Sequence, residues 1–237
     1  MLGYQEFTDQ TRHPLVLIPA CNEVGRIEAV LQGLHALPRE LEIVVVDDGS
    51  TDDTLECARA HGATVLRHPF NLGYGAALQT GYQYARRHGY QQLIQMDGDG
   101  QHDPKSVQTL LEALDEGADL VVGSRFQVPG MAPPTTVLRR LGSRLFATIV
   151  SVWTGVRVTD PTSGFQGLSK QVIDEVAQEG FPEDYPDADV LIRLTRSGLK
   201  LVEVPVKMHP RVGGVSMHRG TRAAFYAYKM FMSLALL

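Results

Sequence analysis

Three short, unbroken apolar runs constrain the fold of this chain more than any other feature: Leu15-Val16-Leu17-Ile18, Ile43-Val44-Val45-Val46 and Leu120-Val121-Val122. A strand that is apolar at every position, rather than at alternate ones, must be covered on both faces, the condition of a strand inside a parallel sheet. Between the runs, Ile27/Val30/Leu31/Leu34, Leu55/Ala58 and Val107/Leu110/Leu111/Leu114 recur at helical spacing. Ala63 to Leu66 and Gln92 to Gln95 are shorter strand candidates, and Ser50 with Asp53 resembles a capping box for the helix through Leu55. Strand and helix alternating in this rhythm predict an α/β domain, a mostly parallel sheet with helices on both faces. Helices are also expected over 136–152 and 187–197, and a strand over 199–206. Asn71-Leu72-Gly73-Tyr74-Gly75 opens a further helix, but it lacks a third glycine and a Walker lysine. Its glycines read as close packing rather than as a dinucleotide loop.

In such a sheet, ligands belong at the carboxyl ends of the strands. Three polar segments fall there: Pro19 to Glu23, Asp47 to Ser50, and Asp97 to Asp103. The last contains Asp97-Gly98-Asp99, two carboxylates one residue apart. Carboxylates that close repel, and one tends to keep its proton unless a cation intervenes. A hard cation such as Mg²⁺ or Mn²⁺ removes that conflict and takes a diphosphate as a further ligand. A solvated acidic turn is the bland alternative. His102 reads as a neutral surface histidine.

Composition narrows the class. At 237 residues with 43% apolar content, the chain can bury a substantial core. Its formal charge of −5, with Lys and Arg not pooled in the first half, speaks against nucleic acid as a partner. Cys21 and Cys57 lack metal-ligand spacing and are expected as buried free thiols. Met1 to His13 has no apolar core, and no stretch reaches the roughly 18–20 apolar residues of a membrane span. A cytoplasmic protein is expected, free or against a membrane.

The motifs Ile18-Pro19-Ala20-Cys21-Asn22-Glu23, Val44-Val45-Val46-Asp47-Asp48-Gly49-Ser50-Thr51-Asp52 and Asp97-Gly98-Asp99 resemble, in order and spacing, the family 2 glycosyltransferases of GT-A (Rossmann-like) fold. Gly123-Ser124-Arg125, Asp160-Pro161-Thr162-Ser163-Gly164-Phe165 and Arg211-Val212-Gly213-Gly214-Val215-Ser216 are similar to its polyprenyl-phosphate branch, which includes dolichol-phosphate mannose synthase. The likeness spans roughly residues 14–218. It implies a nucleotide-sugar site bordered by Pro19, Ala20, Asn22, Glu23, Val46, Asp48, Asp97, Gly98 and Arg211. Asp48 would read the base, since a carboxylate accepts from ring N–H groups of uracil or guanine, while Asp47 would be structural. Asp97, Asp99 and Gln101 would hold Mg²⁺ or Mn²⁺. Arg125 and Arg139 would sit near the phosphates, one of the acceptor and one of the donor, and join Asp99 as the catalytic set. A lysine often found near Met217 in the branch is absent here, with His218 or Arg219 as substitutes.

The implied reaction is inverting transfer of a sugar from a UDP-sugar or GDP-mannose to a polyprenyl phosphate. A phosphate acceptor, with a second pKa of about 6, needs no general base. A saccharide or other hydroxyl acceptor needs one, and Glu183-Asp184 or Asp187/Asp189 could supply it. A nucleotidyltransferase is disfavoured by the lack of a Gly-rich, basic loop after the first strand, and a silent nucleotide-sugar-binding module by the intact acidic set. Residues 1–218 are expected as the catalytic domain and 219–237 as an amphipathic helical extension. Basic residues beside apolar ones in that extension, and from Arg139 to Val152, suit a peripheral helix on the cytoplasmic face of a membrane. A homodimer or a small membrane partner subunit is compatible with that arrangement.

Overall fold

The computed structural model describes residues 12–128, 130–131, 137–178 and 188–210, without the side chains of 137–142 and 189. Among them are seven strands and seven helices, which alternate through the first six strands and place two consecutive helices before the last. They run β1 (Leu15–Ala20), α1 (Ile27–His35), β2 (Glu42–Asp47), α2 (Thr54–Ala60), β3 (Thr64–Arg67), α3 (Tyr74–Arg87), β4 (Gln92–Gln95), α4 (Ser106–Asp115), β5 (Leu120–Ser124), α5 (Val137–Thr154), β6 (Gln166–Ser169), α6 (Lys170–Val176), α7 (Ala188–Arg196) and β7 (Leu201–Pro205).

The strands form one sheet in the order β3-β2-β1-β4-β6-β5-β7. The β1–β2, β1–β4, β2–β3 and β5–β7 pairs are parallel, and β6 alone runs opposite to its neighbours. The two faces carry separate cores, which is why β1 reads as continuously apolar. Leu15 and Leu17 pack with α3, α6 and α7 on one face. Val16 and Ile18 pack with α1 and α4 on the other. Helix α1 shows the economy of this arrangement: Ile27, Val30, Leu31 and Leu34 are all at most 2% exposed, each burial stabilising by about 1.5–3 kcal/mol.

Two local readings are revised. The helix through Leu55 begins at Thr54, and its cap position, Asp53, makes no side-chain capping bond. Asp52 Oδ1 accepts the Thr54 N–H instead, at 3.1 Å, and the Ser50 hydroxyl accepts the Asn22 N–H, at 3.0 Å. The capping box fails because a neighbouring loop claims its serine. Cys21 and Cys57 are free, as expected, but half-buried rather than buried.

Strand β6 and helix α6 carry no strong periodic signal. Gln166-Gly167-Leu168-Ser169 is a strand because β4 and β5 pair with it from both sides. Its reversed direction has a consequence for the site. The amino end of β6 lies at the carboxyl edge of β4 and β5, so the preceding segment, 159–165, is delivered to the same edge as Asp97 to Asp103.

Candidate active site

At the first part of this edge, two loops are stapled together. Asn22 follows β1 with φ of 57°, a left-handed conformation that asparagine tolerates better than most residues. Its Oδ1 accepts from Thr51 N–H at 2.9 Å, and Glu23 N–H donates to Thr54 Oγ1 at 2.8 Å. Pro19 and Ala20 lie in register with Val46 and Asp47. Val46 is fully buried in the core, so its side chain lies beneath the site.

Asp48 is 4% exposed and heavily engaged. Its Oδ1 accepts Leu72 N–H at 2.8 Å and lies 2.7 Å from His68 Nδ1; its Oδ2 accepts Gly73 N–H at 2.9 Å. His68 Nε2 in turn lies 2.9 Å from Thr80 Oγ1. A carboxylate has about four lone-pair sites, and three are used to shape the 68–73 loop. Asp47, 0% exposed, accepts Ser50 N–H and faces Arg67 at 3.5 Å.

The Asp97 to His102 turn follows β4. Asp97 Oδ1 accepts from Tyr74 O–H at 3.0 Å, and Tyr74 Oη accepts from Gln95 Nε2 at 3.2 Å. Asp99, 7% exposed, accepts Gln101 N–H at 2.9 Å. Gly98 is crowded: a Cβ there would meet Ile18 and Ile27 at 3.3 Å. Gln101 commits its amide nitrogen to the His209 carbonyl at 3.4 Å, which fixes the sense of the amide and its oxygen. Two carboxylates and an amide oxygen on one turn are a hard donor set that fits Mg²⁺ or Mn²⁺. Among the described residues, no group of three or more His, Cys, Asp and Glu gathers, so such a cation would rest on this set and on its substrate.

His102 is not the surface residue its polar neighbours suggested. It is 2% exposed and stacks on Phe165 with centroids 4.8 Å apart. Its Nδ1 accepts the Asp97 N–H at 3.2 Å, which requires the Nε2–H tautomer of a neutral ring. Burial, aided by nearby Arg125 and opposed by Asp99 and Asp160, pushes its pKa down to about 4. A neutral histidine thus supports the acidic turn from below.

Arg125, after β5, forms a two-pronged pair with Asp160: Nε to Oδ2 at 2.7 Å and Nη2 to Oδ1 at 3.0 Å. Its Nη1 contacts Met208 Sδ at 3.3 Å, and Met208 forms a backbone bridge with His102. Segment 160–165 then stitches the two halves together. Ser163 Oγ donates to Gly123 O at 2.6 Å, Gly164 packs so tightly that a Cβ would meet Tyr74 Oη at 3.0 Å, and Phe165 stacks on His102.

The structure therefore brings together Pro19, Ala20, Asn22, Glu23, Asp48, Asp97, Gly98, Asp99, Gln101 and Arg125 along one edge. Arg139 lies on α5 with its side chain outside the described set, as is that of Asp189. Arg211, Glu183, Asp184, Asp187, His218, Arg219 and the 219–237 extension lie outside the described residues. Sequence reasoning missed Tyr74 and Gln95, and also Glu203 on β7, whose carboxylate accepts the Thr159 and Asp160 N–H groups beside Arg125. It quoted Asp160 and Phe165 within a motif without assigning them work.

A sequence model described as glycosyl transferase family 2 matches residues 15–177. Polyprenol monophosphomannose synthase of Mycolicibacterium smegmatis is 32% identical over 229 residues, 93% of this chain and 86% of that protein. Undecaprenyl-phosphate mannosyltransferase of Micrococcus luteus is 32% identical over 219 residues, 87% of either protein. Among solved structures, glucosyl-3-phosphoglycerate synthase of Mycobacterium tuberculosis, crystallised with Mn²⁺ and UDP-glucose, aligns with a TM-score of 0.71 at 24% identity. That alignment covers 95% of this chain and 80% of the other, and it speaks to the fold alone.

Proposed function

Because the chain belongs to glycosyl transferase family 2, and so is a glycosyltransferase, we propose that it transfers a sugar from a UDP-sugar or GDP-mannose to a polyprenyl phosphate, with inversion and with Mg²⁺ or Mn²⁺. One observation carries the reading. Met208 contacts the Arg125 guanidinium and forms a backbone bridge with His102 of the Asp97–His102 turn, so paired carboxylates suited to a cation and a guanidinium suited to phosphate lie along one edge. Two relatives are named for polyprenol or undecaprenyl-phosphate acceptors, and the solved neighbour was crystallised with Mn²⁺ and a nucleotide sugar.

The roles follow from the chemistry of the side chains. Asp97, Asp99 and Gln101 hold the cation. A divalent cation there supplies Lewis-acid stabilisation of the departing nucleoside diphosphate. Pro19, Ala20, Asn22 and Glu23 wall the nucleotide, and Asp48 offers its remaining lone pair to the base. Arg125 and Arg139 receive phosphate, for which a guanidinium is suited because it donates in parallel and stays charged. Arg211 contributes from the donor side. The acceptor phosphate is already largely dianionic at neutral pH, so no side chain needs to remove its proton.

Peripheral docking on a membrane surface fits the same acceptor. Helix α5 exposes Leu145, Val152 and Trp153, and the Arg196 guanidinium lies 4.9 Å from the Trp153 ring centre. This is the amphipathic mixture that sits at a lipid interface. No described helix is long and apolar enough to cross a membrane.

The test is a radiolabel-transfer assay with UDP- and GDP-sugars, either cation and a polyprenyl phosphate, beside Asp99→Ala. Cation-dependent label in the organic phase, absent in the variant, is the expected result. Donor hydrolysis or transfer to free sugars, with no lipid product, would overturn the lipid-phosphate acceptor.

A further inference from the structure

Outside the acidic turn, one carboxylate grips the Arg125 guanidinium and a second holds the loop that carries the first. Asp160 has only 2% of its side chain exposed and grips Arg125 through both oxygens. It sits in a loop, and a loop residue cannot hold a rigid partner unless something holds the loop. Glu203, on β7 beside β5, does so. Its carboxylate accepts Thr159 N–H at 2.8 and 3.0 Å, Thr159 O–H at 2.7 Å and Asp160 N–H at 2.8 Å. Gln127 Nε2 adds a further bond to the same carboxylate at 3.2 Å.

We propose that Asp160 and Glu203 are positioning residues for the acceptor: Glu203 fixes the 159–160 backbone, Asp160 fixes the Arg125 guanidinium, and Arg125 meets the acceptor phosphate already oriented. The inference rests on the reading of Arg125 as a phosphate-binding side chain. A long, unrestrained arginine has many rotamers to lose, and a side chain ordered before binding loses none of that freedom when the ligand arrives. The grip uses the Nε edge of the guanidinium, while the Nη1 nitrogen is turned toward Met208, the residue bridged to His102 of the acidic turn. Asp160 thus sets which way the fork of donors faces relative to the cation site. A pair serving stability alone has no need of this place, since apolar residues of similar size often do as well.

The sign of one substitution separates positioning from plain electrostatics. Asp160→Asn removes a negative charge beside Arg125. On charge alone, a dianionic acceptor would then bind more tightly. Loss of positioning predicts the reverse.

The experiment measures steady-state kinetics on wild type, Asp160→Asn and Glu203→Gln, varying polyprenyl phosphate and donor separately. The expected result is a rise of about tenfold in acceptor KM for Asp160→Asn, the scale on which supporting partners of a site are felt, with donor KM within about twofold. Glu203→Gln moves the same parameter in the same direction by less. In an Arg125→Lys background, Asp160→Asn adds no further rise. An acceptor KM that is unchanged or lower in both variants overturns the inference, as does a rise in donor and acceptor KM alike. If Asp160→Asn does not fold, Glu203→Gln, half-buried and isosteric, gives the reading. Should the wild type itself make no lipid product, it is the acceptor assignment that fails.

Discussion

Lowering the pH should unfold this protein through His102 in particular. The ring is fully buried, neutral, and has its pKa pushed down to about 4 by burial, against 6.5 for a free histidine. The unfolded chain takes up a proton as pH falls through 6.5, while the native state refuses it until about 4. Stability from this group is therefore complete above pH 6.5 and is lost progressively between 6.5 and 4. At about 1.4 kcal/mol for each step of one in pKa, the full depression is worth on the order of 3 kcal/mol. By linkage about 2 kcal/mol is gone at pH 5 and about 3 kcal/mol at pH 4. That is a large part of a typical 5–15 kcal/mol.

The assay is urea unfolding of the chelator-treated protein at pH 7, 6, 5 and 4.5, for wild type and His102→Gln. Glutamine keeps an acceptor for the Asp97 N–H but does not titrate. Carboxylates such as Asp52 and Asp115, held low chiefly by hydrogen bonding once desolvation is offset, lose their contribution equally in both proteins. The difference between the two curves isolates the histidine. Wild type should lose about 2 kcal/mol more than the variant between pH 7 and 5. Parallel curves would refute the reasoning. A wild type that gains relative stability in acid would show the ring to be a native imidazolium paired with Asp99.

Other substitutions bear on separate parts of the argument. Gly81→Ala on α3 should destabilise by about 1–3 kcal/mol through overpacking, because its Cβ would lie 2.1 Å from Leu17 Cδ1 in the core; a melting temperature equal to wild type would contradict the packing. Asp99→Asn should leave the melting temperature within a few degrees yet cut cation-dependent transfer on the order of a hundredfold or more, the scale of lost Lewis-acid stabilisation, as read in the radiolabel assay. Replacing Leu145, Val152 and Trp153 together by serine should abolish flotation with anionic vesicles; undiminished flotation would remove α5 from the membrane contact.

How much of this could be read beforehand depended on whether the deciding contact was local. Strands β1, β2 and β5 and helices α1, α2 and α4 were legible because period and burial are properties of a short window, and the sheet's rule for ligands placed Pro19, Asp48 and Asp97 on one edge. Arg125 and Asp160 are 35 residues apart, and Thr159 and Glu203 are 44 apart; no window contains either pair. Ser50 misled for the same reason, since its hydroxyl answers to Asn22, 28 residues away, rather than to its own helix. His102 misled most instructively. Gln101 and Asp103 mark a surface turn, and nothing near them announces that Phe165 will cover the ring. That cover exists only because β6, a strand with almost no pattern of its own, runs backwards between β4 and β5. A parallel strand there would have delivered its amino end, and with it Asp160, Gly164 and Phe165, to the opposite edge of the sheet. The least legible strand is thus the one that completes the site, by carrying a guanidinium's partner and a histidine's cover to the place where the acidic turn already stood.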